Sequence, residues 1–225
     1  MSSIQALVGL SGTPFSFTNL LHLDGTNGST TFTDVSGRSW SRLATSAQIS
    51  TAQSQFGGAS LLLNGADAIE TPYNSSDDWT NGNFTVEGWF YATTLGAVNT
   101  MASQWNNAGW LLYLQSTAIV FAWAPFSTSS NLINGPTVSA NTWYHVALVK
   151  NGTTFTIYLD GTNVASNTSS ATTSLSTQPR MIGAYRDGLN LVQGGFVGHL
   201  DEWRFSQSAR YTSNFVRPAA PFPDT

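Results

Sequence analysis

WYHVALVK (143–150), Asn151-Gly152, TTFTIYLD (153–160), Gly161 and TNVAS (162–166) form the stretch that decides the fold. Asn-Gly and Asp-Gly reach positive φ at both turn positions, as a type I′ turn requires, so 151–152 and 160–161 predict two tight hairpins. The result is an antiparallel meander of three strands. In its middle strand Phe155, Ile157 and Leu159 share one face, and Thr154, Thr156, Tyr158 and Asp160 share the other. Val146-Ala147-Leu148-Val149 is apolar without alternation, which predicts a strand covered on both sides near the middle of a sandwich.

Working outward, the same grammar recurs. Asn83 to Tyr91 alternates, with Phe84, Val86, Gly88 and Phe90 on one face and Thr85, Glu87, Trp89 and Tyr91 on the other. Ser60 to Leu63, an Asn64-Gly65 turn and Ala68 to Thr71 read as a further hairpin. Strands are expected around Leu20 to Leu23, within Trp40 to Ile49, and at 100–104, 109–115, 118–124, 180–184 and 195–205. Pro125 to Pro136 reads as a polar loop, and 216–223 as an extended, proline-rich tail. No segment keeps a helical apolar period, although Ser206 to Arg210 has room for one turn. Turns every ~8–12 residues predict an all-β antiparallel sandwich or jelly roll of roughly a dozen strands.

At 225 residues one all-β domain accommodates the chain, and 41% hydrophobic content is enough for its core. Cysteine is absent, which removes disulfides, thiolate metal sites and thiol nucleophiles. Lys150 is the only lysine and the formal net charge is −4, so a phosphate-neutralising surface is missing and nucleic acid is not an expected partner. No apolar run approaches the ~20 residues that span a bilayer, and the start lacks a signal-peptide pattern, so neither membrane insertion nor export is expected. The sequons at Asn27, Asn74, Asn83, Asn151 and Asn167 carry no weight in so Ser/Thr-rich a chain.

Five blocks stand in order: Phe56-Gly-Gly-Ala-Ser-Leu61, Asn83-Phe-Thr-Val-Glu-Gly-Trp-Phe90, Trp143-Tyr-His-Val-Ala-Leu-Val149, Tyr158-Leu-Asp-Gly161 and Gly198-His-Leu-Asp-Glu-Trp-Arg204. Together they resemble the laminin G-like, concanavalin A-like jelly rolls over about residues 20 to 222. The ending from Ser206 to Phe215, followed by Pro218 to Phe222, is similar to the version found in tailed bacteriophage structural and adhesion proteins. That resemblance implies a virion protein, a capsid decoration, fibre or tail component assembled in the bacterial cytoplasm, self-associating or contacting other virion subunits and host-surface glycans. The alternative is a free-standing carbohydrate-binding module or lectin, and the third reading is a glycoside hydrolase. Residues 1–18 fall outside the resemblance. They read as an arm docking onto a neighbouring subunit, and 19–225 as the jelly-roll domain.

Glycosidases need two facing carboxylates, about 5–5.5 Å apart for retention or about 6.5–9.5 Å for inversion. No acids stand at i and i+2 on a strand, and adjacent Asp201 and Glu202 are expected on opposite faces. Glu87 is a lone acid, expected to pair with an arginine such as Arg204. No serine sits in a Gly-x-Ser-x-Gly elbow, and His22, His145 and His199 lack the spacing of a zinc site. The expectation is no enzyme and no required cofactor. Asp24, Asn27 and Asp34 cluster hard oxygens in one Gly-rich loop, and the resemblance implies that Asp201 on the last strand joins them around a structural calcium; the competing reading is turn and cap chemistry. For sugar stacking the candidates are Trp105 with Gln104, Asn106 and Asn107, then Trp123 and Phe126; of these Trp105 is expected to be exposed and Trp123, inside a strand, to face the core.

Overall fold

The computed structural model describes residues 16–96, 98–123, 131–169 and 176–225. In chain order its strands are β1 (Asn19–Leu21), β2 (Ser41–Arg42), β3 (Gln48–Ser50), β4 (Ser60–Asn64), β5 (Ile69–Thr71), β6 (Phe84–Ala92), β7 (Val98–Trp105), β8 (Gly109–Gln115) and β9 (Ala118–Trp123). They continue as β10 (Leu132–Thr137), β11 (Trp143–Asn151), β12 (Thr154–Leu159), β13 (Thr162–Thr168), β14 (Arg180–Ile182), β15 (Tyr185–Arg186), β16 (Val192–Gln193) and β17 (Val197–Ser206). An eight-stranded sheet runs β13-β12-β11-β6-β17-β4-β3, with β1 also on β17, and a seven-stranded sheet runs β10-β9-β8-β7-β14-β5-β2. β15 and β16 form a separate hairpin. All pairings are antiparallel, so the expected two-sheet sandwich is present. No helix among the described residues is long and apolar enough to cross a membrane.

The meander is β11-β12-β13, and its two turns differ. Asp160 and Gly161 both have positive φ, 49° and 81°, and join Leu159 to Thr162 in the expected type I′ manner. At the other junction Asn151 pairs with Thr154, so the loop residues are Gly152 and Thr153 and only Gly152 is positive. That pattern, with glycine first, belongs to a type II′ turn, and the turn sits one residue later than expected. Val146 and Leu148 face the interior, while Ala147 and Val149 meet Tyr158 beneath Ala209, Tyr211 and Phe215. The second cover of this strand is therefore a C-terminal strap, residues 207–222, laid across the outer face of the eight-stranded sheet.

The Asn64-Gly65 stretch is not a hairpin. β4 pairs with β3 and β17, whereas β5 pairs with β14 and β2 in the opposite sheet. Asp67, buried, accepts the amides of Ala44, Ser46, Ala47 and Ala68 at 2.7–2.8 Å, and this amide cradle redirects the chain from one layer to the other. The 125–136 region is also corrected, since Leu132–Thr137 forms β10; its Pro136 is tolerated because β10 is an edge strand with an irregular register.

Between the sheets the core is aromatic. Trp79 stacks on Phe84 at 4.7 Å and on Trp110 at 5.6 Å, and Trp123 stacks on Phe155 at 4.2 Å. Arg180, fully buried, lies over Trp79 at 4.4 Å and Phe205 at 4.6 Å and pairs with Asp77 at 3.0 Å. Thr18 already belongs to this domain, its amide donating to Phe205 O at 2.7 Å. Residues 1–15 of the expected arm lie outside the described residues.

Candidate functional site

Alternation along the seven-stranded sheet sends Ala102, Trp110, Leu112, Leu114 and Phe121 inward. The opposite positions build a second apolar cluster on the outer face: Trp105, Leu111, Tyr113, Val120 and Ala122, with Val98, Leu132 and Tyr185 against it. Register places Val98 opposite Gln115, Thr100 opposite Tyr113 and Ser103 opposite Leu111. The β15–β16 hairpin lies along this face. Ser103 Oγ donates to Ala184 O at 2.7 Å and Thr100 N to Gly194 O at 2.8 Å, anchoring both ends. A Cβ at Gly194 would come within 2.9 Å of Tyr185, Thr100 and Val98 together, so only glycine lets the hairpin settle so close.

Val98, Leu111, Tyr113, Gln115 and Tyr185 line a pocket of about 140 Å³ at this junction. Burial, and secondarily the neighbouring Tyr185, push the Tyr113 phenol above its ordinary value, so it remains a neutral donor. The strands of this sheet carry one acid, Glu70, which is ion-paired with Arg186 at 2.8 Å. Asp187 on the hairpin is occupied in the same way, accepting from Leu189 N and Leu191 N at 2.9 Å and from Gln193 Nε2 at 3.2 Å.

The sugar-stacking candidates fall differently. Trp105 is 7% exposed and belongs to the outer-face cluster, so the expectation of an exposed loop tryptophan is corrected. Gln104 is inward and buried, its Nε2 donating to Ser176 O at 2.8 Å. Asn106 turns within its loop through its amide to Ala108 O, and Asn107 is exposed with φ 56° beside Gly188. Trp123 is fully buried in the core, as its strand position predicts, and offers no face to a ligand. Phe126 lies outside the described residues. Tyr113, Leu111 and Gln115 were not singled out from the sequence, although strict alternation against Trp110, Leu112 and Leu114 already puts them on one face. Tyr185 carried no such signal, because a two-residue strand has no period to read.

The acidic residues also separate. Asp34 is buried and saturated, accepting from Leu20 N, Asn19 Nδ2, Ser36 N, Ser36 Oγ and Trp40 Nε1. Asn27 Oδ1 accepts from Thr51 N at 3.2 Å. Asp24, by contrast, lies close enough to Asp201 and Glu202 for its charge to act on both. A Cβ at Gly57 would sit 1.9 Å from both Asp24 carboxylate oxygens, so glycine makes room for that carboxylate. Asp201 Oδ2 accepts from Gln55 N and Phe56 N, while its Oδ1 is buried with no hydrogen-bond partner. Burial first, with Glu202 and Asp24 adding to it, pushes Asp201 up to about 8. Among the described residues no group of three His, Cys, Asp or Glu side chains is arranged to hold a metal. The four-residue calcium set is thus corrected to Asp24 and Asp201, two hard-oxygen donors of which one has an orphan oxygen; calcium would need carbonyls or water for the remainder.

Asp201 and Glu202 do not face opposite sides. Glu202 has φ 52° and is the extra residue of a bulge in β17, between the pairs Asp201–Trp89 and Arg204–Glu87. Asp201 and Arg204 therefore share the outer face. Glu202 reaches that side too, accepting from Phe222 N at 2.8 Å and meeting His22 Nδ1 at 2.7 Å. Both acids are buried, far from the geometry of an open cleft with two facing carboxylates.

By sequence alone, no curated protein matches the chain. Among solved structures it is similar to domain 4 of AbnA, a GH43 extracellular arabinanase from Geobacillus stearothermophilus in complex with arabinotriose, with TM-score 0.64 and 16% identity over 87% of this chain and 94% of that one. It is also similar to the receptor-binding domains of botulinum neurotoxin type G (TM-score 0.59, 14% identity) and type D (TM-score 0.61, 14% identity). The alignment covers 87% of this chain in each case but spans about half of the neurotoxin domains, 48% and 50%. At such identities the likeness is one of fold. The model of the laminin G-like concanavalin A-like lectin/glucanases superfamily matches residues 63–213, more than half of the chain, and the protein belongs to that superfamily.

Proposed function

We propose that this protein is a non-catalytic carbohydrate-binding domain whose ligand sits on the outer face of the seven-stranded sheet, between Tyr113 and Tyr185. The observation that carries this reading is the pocket itself: two phenol rings, two aliphatic walls and one amide meet at a single depression. Mostly apolar walls with a few directed polar groups are the usual make-up of small-ligand sites. The superfamily and the arabinotriose complex of a domain of similar fold support a saccharide as the ligand. Catalysis has no such support, since the acid of this sheet, Glu70, is tied to Arg186 and Asp187 is held by its own loop. Titration calorimetry against neutral oligosaccharides, arabinotriose included, tests the reading. Binding that weakens in Tyr185→Ala without release of reducing ends supports it; hydrolysis, or no binding to any saccharide, defeats it.

The virion setting implied by the C-terminal segment is compatible with the same glycan-facing pocket and adds self-association. Light scattering on the purified chain separates the two settings: a trimer or larger ring suits a virion component, and a monomer suits a free module.

A further inference from the structure

Three features of the pocket bear on which saccharide it takes. Its walls, Val98, Leu111, Tyr113, Gln115 and Tyr185, carry no formal charge. The charged groups of the adjoining hairpin are already committed, Arg186 to Glu70 and Asp187 to loop amides and Gln193. The same hairpin exposes three apolar side chains, Leu189, Leu191 and Val192, 81%, 54% and 41% accessible. Volume sets the size: about 140 Å³ is close to the ~150 Å³ of a cavity that accepts one benzene ring.

Resting on the glycan-binding reading above, we infer that the pocket takes one uncharged sugar ring carrying a methyl or acetyl group, and that this group sits against Val98 and Leu111. A carboxylate sugar entering here would lose water without gaining a cation. A hexose with hydroxyls at every ring position would turn some of them toward Val98 and Leu111, whose side chains neither donate nor accept. A 6-deoxy methyl or an N-acetyl methyl meets those two side chains with its apolar surface. The remaining ring hydroxyls then face the phenols of Tyr113 and Tyr185 and the exposed amide of Gln115 at the mouth.

The test is retention of the intact chain on glucose, N-acetylglucosamine, fucose, glucuronic acid and N-acetylneuraminic acid, each on the same linker. N-acetylglucosamine or fucose should be retained in preference to glucose and to both acids, and the preferred sugar should bind about tenfold or more weakly to Tyr185→Ala. Tyr185→Phe, which keeps the ring, should hold most of the affinity, with melting curves showing that both variants are folded. Preference for an acidic sugar, or glucose held as well as its substituted relatives, overturns this inference and leaves carbohydrate binding standing. Binding unchanged in Tyr185→Ala overturns the assignment to this pocket. Retention of none of the five overturns this inference, and failure with arabinotriose and the other neutral oligosaccharides as well overturns the carbohydrate reading with it.

Discussion

Arg204 donates from Nε and Nη2 to the same oxygen of Glu87, at 2.9 and 2.8 Å, in a site sealed beneath the C-terminal strap. The other oxygen accepts the Tyr211 hydroxyl at 2.9 Å, and His145 Nε2 lies 3.4 Å from it. The pairing expected from the sequence is thus the centre of a network that also holds the strap.

Burial alone would raise the Glu87 carboxyl, but Arg204 first, then His145 and Arg210, bring it down to about 2. A carboxyl depressed in the folded state contributes stability that is present above its ordinary value of 4.5 and lost as pH falls toward 2. The loss should be on the order of 3 kcal/mol, read as an acid limb in denaturant melts between about pH 2 and about pH 6. Glu87→Gln should flatten that limb and cost about 3–5 kcal/mol at neutral pH, because Arg204 and Arg210 remain buried without their counter-charge. A variant with the same acid limb as the parent would show that Glu87 is not its source.

Gly88 sits opposite Trp203, and a Cβ built on it would lie 2.6 Å from the indole. Its φ is not positive, so the demand is for space alone. Gly88→Ala should destabilise by about 1–3 kcal/mol through overpacking. The double variant Gly88→Ala/Trp203→Phe should show a coupling that recovers part of the Gly88→Ala cost; strictly additive losses in thermal melts would contradict the contact.

The strap is held by ring packing as well as by backbone hydrogen bonds such as Phe215 N to Gly161 O. Tyr211 and Phe215 stack at 3.6 Å, and Phe215 meets Tyr158 at 5.4 Å above Ala147 and Val149. Phe215→Ala should cost about 2–3 kcal/mol, and a chain ending after Ser206 should fail to melt cooperatively because it uncovers both Glu87 and the meander. A truncated chain with the stability of the parent would remove the strap from the core of the domain.

If carbonyls and water complete a calcium site on Asp24 and Asp201, calcium should raise the melting temperature of metal-stripped protein by mass action on the folded state. Since burial holds Asp201 protonated up to about 8, the calcium effect should be larger above that pH than below it. Asp201→Asn should abolish the shift. Melting curves that ignore both calcium and chelator would leave Asp24 and Asp201 as backbone acceptors and nothing more.

How much of this was legible depended on the range of the forces involved. The faces of β6 and β12, the Asp160-Gly161 turn and the meander follow from period-two alternation and from glycine's freedom at positive φ, both of which act within a few residues. The Glu87–Arg204 pair was legible because a lone acid on a strand needs a cation and few were available. Tertiary structure alone decided that Asn64-Gly65 carries the chain between sheets, through the buried Asp67 cradle. It also decided that a bulge at Glu202 turns two neighbouring acids to one side, and that the aromatic side chain lining the pocket from the hairpin is the half-buried Tyr185, not Trp105. Alternation tells which side chains share a face but not what covers that face; burial on the outer side of a sheet is set by segments distant in the chain, here a hairpin on one sheet and a C-terminal strap on the other.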